Sequence, residues 1–319
     1  MLTTKINGIK LHAITSTLPC DSIELNGKLI YQTSFHQTTS DLGFDAANRI
    51  IEQLQIDKNE IGFVLFGSKT PDYRSPVTSA ILQGRLELSV DCICYDINVG
   101  INAFSQLVQI GSAVLKNTNK SLGLLIFGDT PSKFKKNQSE NIFEESDAAT
   151  AVLLEKSNEG NEILFISKSI GDFSNNWILK NGGFRSFNPS EPFDASVQSN
   201  FVAHLNEEMI KKAFNGLDKD AISNFISNST ALYHSSYLKY VPNDLLNHFN
   251  DRVLADASEL PILLASMPLN LFDSDKYLSF LSVGEGLCFY AMKINHLPIL
   301  LNTENSAQIF SDFRVSHEI

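Results

Sequence analysis

Asp41-Leu-Gly-Phe-Asp-Ala-Ala-Asn-Arg-Ile-Ile-Glu-Gln-Leu-Gln-Ile-Asp-Lys-Asn-Glu-Ile-Gly-Phe-Val-Leu-Phe66 holds the fold in miniature. Leu42, Ala46, Arg49-Ile50 and Leu54 recur near the helical period, so residues 42–55 read as a helix, with Ser40 or Asp41 as its cap. Asp57-Lys58-Asn59-Glu60 is a polar turn, and the unbroken apolar run Ile61 to Phe66 reads as a buried strand. The same phrase returns in the second half. Residues 206–216 read as a helix ending at Gly216, Leu217-Asp218-Lys219-Asp220-Ala221 as a turn, and Ile222 to Ile226 as a short strand. A helix, a charged turn and a strand repeated about 165 residues apart point to internal duplication. Strand–helix alternation argues for α/β layers.

The polar stretch at residues 155–162 lies between the apolar runs Ala151–Leu154 and Ile163–Ile166 and is expected to be the turn between halves. The expected divisions are 1–158, 159–296 and an appended tail, 297–319. Of the 319 residues, 43% are hydrophobic and 19% charged, the balance of a soluble globular protein. No apolar run reaches the ~18 residues of a membrane helix. The N-terminus has no charged-then-apolar leader pattern, so the expected location is cytoplasmic. A formal charge of −11 offers no basic footprint for nucleic acid. The densest basic cluster, Lys133-Phe134-Lys135-Lys136, reads as a solvated loop. Of four cysteines, Cys92 and Cys94 form a C-x-C that reads as two strand residues on one face, and no second Cys/His pair stands by to complete a metal site.

Five further segments carry a resemblance. They are Lys69-Thr-Pro-Asp-Tyr-Arg-Ser-Pro-Val-Thr-Ser-Ala80 with Tyr95-Asp-Ile-Asn-Val-Gly-Ile-Asn-Ala-Phe104, residues 142–154 with Asp147, Trp177-Ile-Leu-Lys-Asn-Gly-Gly-Phe-Arg185, and Leu281-Ser-Val-Gly-Glu-Gly-Leu-Cys-Phe-Tyr-Ala291. In order and spacing the chain, over roughly residues 5–295, resembles ketosynthase III, the condensing enzyme that starts fatty acid and some polyketide chains. The resemblance implies a thiolase-like, five-layered α-β-α-β-α fold built from two duplicated halves, and a dimer. In that family a strand ending in Asp-(Leu/Val)-Asn-Ala-Ala-Cys-Ser-Gly-Phe delivers a Cys to the N-terminus of a buried helix, which lowers the thiol pKa.

The resemblance fails at the chemistry. With Asp96 and Phe104 matched, the nucleophile position is Ile101, which cannot be acylated. Its neighbours are Gly100 and Asn102, and the sulfurs of Cys92 and Cys94 should pack within the sheet layers. The family His falls on Asn228, with His234 offered by a shifted alignment. The family Asn falls on Pro261, and the Thr-Ser pair after it becomes Ile262-Leu263. The family's coenzyme A entrance uses a Trp and a run of Arg, but the segment from Pro19 to Asp41 contains neither. No metal or cofactor is therefore expected.

Two functional readings follow. In the first, the chain is the non-catalytic partner of an active ketosynthase III-like subunit in fatty acid, polyketide or secondary metabolite synthesis; beside both readings stands a binding or scaffold protein that pairs with itself as a homodimer. On the first reading the chain would meet an acyl carrier protein through that partner, and Lys69–Gly84 and Tyr95–Phe104 would lie near the interface. In the second, the same pocket performs altered acyltransferase or hydrolase chemistry with Asn102, Asn228, Ser229, His234 or Glu285, the last held between Gly284 and Gly286. Ile101, Ile262 and Leu263 predict a pocket filled by apolar side chains.

Overall fold

The structure, a computed structural model, describes residues 2–135, 145–176, 225–227, 253–266, 278–284 and 288–307. The helix expected over 206–216 and the segment 177–185 lie outside them. In chain order come β1 (Leu2–Asn7), β2 (Ile9–Pro19), β3 (Ser22–Leu25), β4 (Lys28–Tyr31), α1 (Thr39–Gln53), β5 (Ile61–Gly67), α2 (Thr78–Arg85), β6 (Ile93–Ile97), α3 (Ala103–Lys116) and β7 (Leu122–Asp129). Then follow β8 (Ala148–Lys156), β9 (Glu162–Ser169), β10 (Phe225–Ser227), α4 (Glu259–Ser266), β11 (Leu278–Gly284), β12 (Cys288–Ile294), β13 (Ile299–Leu300) and β14 (Glu304–Ser306).

Two large sheets organise these elements. The first runs β13-β2-β8-β7-β5-β6, with β14 also on β2, and the second runs β1-β9-β12-β11-β10. β5 lies parallel between β6 and β7, and helices cover both its faces, which is why its sequence is a continuous apolar run. Alternate residues of β5 serve different layers: Val64 and Phe66 pack with α1 and α2, and Phe63 and Leu65 pack with α3. α3 and α4 fill the space between the sheets. There Phe104 of α3 meets Phe127 of the first sheet and Phe280 of the second. The close approach of α3 needs Gly111, where a Cβ would stand 2.6 Å from a Leu125 methyl. The described residues thus form helix, sheet, helix and sheet layers in turn.

The expected helix over 42–55 is observed at 39–53, and its cap is Thr38. Ser40 and Asp41 lie inside the first turn instead. Asp41 Oδ2 accepts the Thr38 N–H at 2.8 Å, and Ser40 Oγ donates to Asp72 at 2.5 Å. Only Cys94 of the C-x-C pair is in a strand. Cys92 precedes β6, because its N–H donates to Ser89 O at 3.0 Å in the preceding turn. Lys133 is half-buried and not freely solvated: its ammonium donates to the carbonyls of Ser34 and Phe35, beside a 3-10 turn at residues 131–135. The segment after 296 adds β13 and β14 to β2, while β1 joins the second sheet.

Candidate functional site

β6 ends at Ile97, residues 98–102 turn, and α3 begins at Ala103. Asp96 fixes this turn to α2: its carboxylate accepts the N–H groups of Thr78 at 2.6 Å and Ser79 at 2.8 Å, placing a negative charge on that helix N-terminus. Ile101 sits just before the α3 N-terminus and is 5% exposed. Its hydrocarbon side chain has no lone pair to attack an acyl carbon. Asn102, 3% exposed, is the α3 N-cap residue, yet its amide serves the other sheet: Nδ2 donates to Cys288 O at 3.1 Å. Its Oδ1 is buried with no hydrogen-bond partner among the described residues. Gly284, paired with Cys288 at the end of β11, makes room for this amide; a Cβ there would lie 2.5 Å from Nδ2. The structure therefore brings Ile101, Asn102 and Gly284 to one place between the sheets.

Pro261 lies in the first turn of α4, where the missing N–H costs nothing. Leu263 packs in the middle layer that also holds Ala103 and Phe104, and Ile262 packs with Leu18, Ala148 and Ala255. Ile101, Ile262 and Leu263 are all buried. Asn228, Ser229, His234, Glu285 and Gly286 lie outside the described residues. The segment from Pro19 to Asp41 forms the β3–β4 hairpin and a return loop, tied down through Asp147. Asp147 Oδ2 accepts the N–H and hydroxyl of Thr33 at 2.7 and 2.6 Å, and its Oδ1 accepts the Ser132 N–H at 2.9 Å. Among the described residues no group of three or more His, Cys, Asp or Glu could hold a metal ion.

The two cysteines that precede this turn in sequence, Cys92 and Cys94, are poor nucleophiles. Burial above all, with Cys94 beside it, pushes the Cys92 thiol up to about 12, and burial raises Cys94 as well. From an ordinary value of 9.0, Cys92 keeps about a thousandfold less thiolate at neutral pH. Peptide mapping after brief alkylation should find the exposed Cys20 modified first and Cys92 last. Equal rates at Cys20 and Cys92 would contradict this environment.

Sequence reasoning missed a charged cluster at the neighbouring strand ends. Asp129, at the end of β7, is 1% exposed. Its Oδ1 accepts from Ser68 Oγ at 3.0 Å, Lys69 N at 2.9 Å, Thr70 N at 3.2 Å and Thr70 Oγ1 at 3.1 Å, while its Oδ2 has no hydrogen-bond partner among the described residues. Lys69 pairs with the buried Asp256 carboxylate, on a residue held at φ 46°. Burial first, and then the charge of Asp256, push the Asp129 pKa well above the carboxylate range, against the pull of Lys69. A raised folded-state pKa gives stability that is full below the unfolded value of 3.8 and is lost as pH rises through the folded value. Asp129→Asn should remove that loss, so its stability relative to wild type should rise from pH 4 upward. A constant difference across pH, read by denaturant unfolding, would contradict it. The polar runs Ser68-Lys69-Thr70 and Asp129-Thr130 directly after two apolar strands were the available signal; the approach of Asp256 from a distant helix had none.

A second polar site, a cavity of about 400 Å³, opens between the start of α1 and α2, lined by His36, Thr38, Asp41, Asp72, Tyr73 and Arg85 among others. Arg85 Nη1 donates to Ser40 Oγ at 3.0 Å and pairs with Asp41 at 3.1 Å. On the same side of the sheet, β6 pairs only with β5 among the described residues. Along and before this edge Tyr95 is 54% exposed, Ile93 37% and Val90 93%. No helix among the described residues is long and apolar enough to cross a membrane.

No family model matches the chain. A Campylobacter jejuni protein provisionally named 3-oxoacyl-[acyl-carrier-protein] synthase 3 is 31% identical over 149 residues, 46% of this chain and 41% of that one. The beta-ketoacyl-[acyl-carrier-protein] synthase III of Campylobacter fetus is 28% identical over 200 residues, 61% of this chain and 60% of that one. These matches thus span less than two thirds of the relatives' own lengths. Among solved structures, a 3-oxoacyl-(acyl-carrier protein) synthase from Burkholderia xenovorans superposes with a TM-score of 0.80 at 21% identity, over 95% of this chain and 99% of that one. The corresponding synthase III from Aquifex aeolicus gives 0.73 at 16% identity, over 90% and 99%. The layered sheets, the β6–α3 turn and these likenesses agree: the chain has the thiolase-like α/β fold, and about three fifths of its sequence is similar to a ketosynthase III.

Proposed function

We propose that this chain is a catalytically silent ketosynthase III-like protein that supports an active condensing subunit, in the manner of a chain-length factor. The observation that carries the reading is Ile101, buried directly before the N-terminus of α3 where the resemblance places a thiol. The Asn102 amide beside it is tied to Cys288 O, and the Ile262-Leu263 pair is packed into apolar clusters. The exposed β6 edge, with Ile93 and Tyr95, gives the partner a surface to extend. On this reading the two halves meet near residue 158, an acyl carrier protein is met through the partner, and the complex works in the cytoplasm on fatty acid, polyketide or secondary metabolite synthesis. Intact-mass measurement after exposure of the isolated chain to an acyl-coenzyme A and to an acyl carrier protein tests it. No added acyl mass is expected; an acyl group mapped to any side chain of residues 97–103 would overturn the reading.

A second reading, altered non-Cys acyltransferase or hydrolase chemistry, is favoured by one observation: Lys69, Asp129 and Asp256 gather charge at the carboxyl ends of β5 and β7, where α/β sheets place ligands. Thioester hydrolysis by the isolated chain that is lost in Lys69→Met would support it.

A further inference from the structure

β2 is an eleven-residue strand at one side of the first sheet, and its outer edge is taken by the chain's own C-terminal segment. The Leu301 N–H donates to Ile14 O at 2.9 Å, and the Cys20 N–H donates to Ser306 O at 3.2 Å. At the near end, His296 Nε2 accepts the Leu11 N–H at 2.9 Å, at the bulge where the pairing of β2 with β8 slips. At the far end, Gln37 Nε2 donates to Ser306 O at 3.0 Å, and the Ser306 hydroxyl donates to Asp45.

Arg49 of α1 fastens the middle. Its Nη1 donates to Asn302 O at 2.9 Å, Thr15 Oγ1 at 2.9 Å and Ser16 O at 3.2 Å, and its Nη2 donates to Thr17 Oγ1 at 3.0 Å. Its Nε lies 3.4 Å from the Glu304 carboxylate. One largely buried guanidinium thus holds α1, β2 and the segment together. Without the segment, a long strand would turn free N–H and C=O groups outward, the arrangement that recruits another chain's strand.

We propose that the outer edge of β2 is a strand-acceptor surface whose resident occupant is residues 296–306 of the same chain, so that in the first sheet a partner's strand adds at β6 and not at β2. The covering of β2 stands on the contacts above; the preference for β6 rests on the proposed function. A chain ending at His296 should stay folded by circular dichroism and form species larger than a dimer that grow with concentration. A peptide of residues 297–307, added in trans, should return it to the mass of the full chain in sedimentation. A folded truncated chain with the full chain's mass, indifferent to the peptide, would overturn the proposal. Should truncation unfold the protein, Arg49→Met in the full chain decides: amide exchange at Cys20 and Leu301 should quicken by about tenfold or more while β7 stays protected. Unchanged exchange there would overturn the proposal equally. Tyr95→Glu, which loads the other edge with charge, tests the β6 reading separately, by loss of dimer or partner binding with the β2 edge still covered.

Discussion

Phe104→Ala is expected to cost about 3–5 kcal/mol of unfolding free energy, the range for removing a fully buried aromatic ring. Phe104 stands where the two sheets meet through α3. Its ring is edge-on to Phe280 at 5.1 Å between centroids and tilted toward Phe127 at 6.0 Å, and it is fully buried. Those partners belong to different sheets, so no neighbour from one side alone can fill the space. Urea unfolding with unchanged slope and a lowered midpoint is the expected record. A loss below about 1 kcal/mol would mean that the layers are not joined here.

Gly284→Ala should cost about 1–3 kcal/mol by overpacking. The added methyl would fall 2.5 Å from Asn102 Nδ2 and 2.9 Å from its Cγ. Asn102 cannot swing aside without giving up its bond to Cys288 O. Removing the obstacle should remove the cost: in an Asn102→Ala background the same Gly284→Ala should be nearly neutral. The coupling between the two sites, measured as a double-mutant cycle, is the prediction. Additive costs would show that Asn102 and Gly284 do not press on one another.

Much of this architecture was legible because buried parallel strands and amphipathic helices leave strong periodic marks. Ile61 to Phe66 is unbroken because both faces of β5 are covered, and the helix after Ser40 shows its apolar stripe plainly. The turn carrying Ile101 left no periodic mark of its own and was placed by the resemblance, through Asp96 and Phe104. Long-range contacts left no such mark. Asn102 and Cys288 are 186 positions apart, and nothing local links them. Lys69 meets Asp256 through the fold alone. The tail looked like an appendage because two- and three-residue strands carry too little pattern to announce themselves; their pairing is set by Arg49 and the free edge of β2. Sequence type alone does not single out Thr38 as the cap, because Ser40 and Asp41, equally good cap residues, follow it and are drawn inward by Asp72 and Arg85.

The most direct test of a silent chain that supports an active one is to co-express it with the intact ketosynthase encoded nearest to it, purify through a tag on this chain alone, and assay condensation. The account predicts a stoichiometric complex whose condensation activity disappears when this chain is omitted. A lone homodimer, beside a ketosynthase fully active by itself, would contradict it.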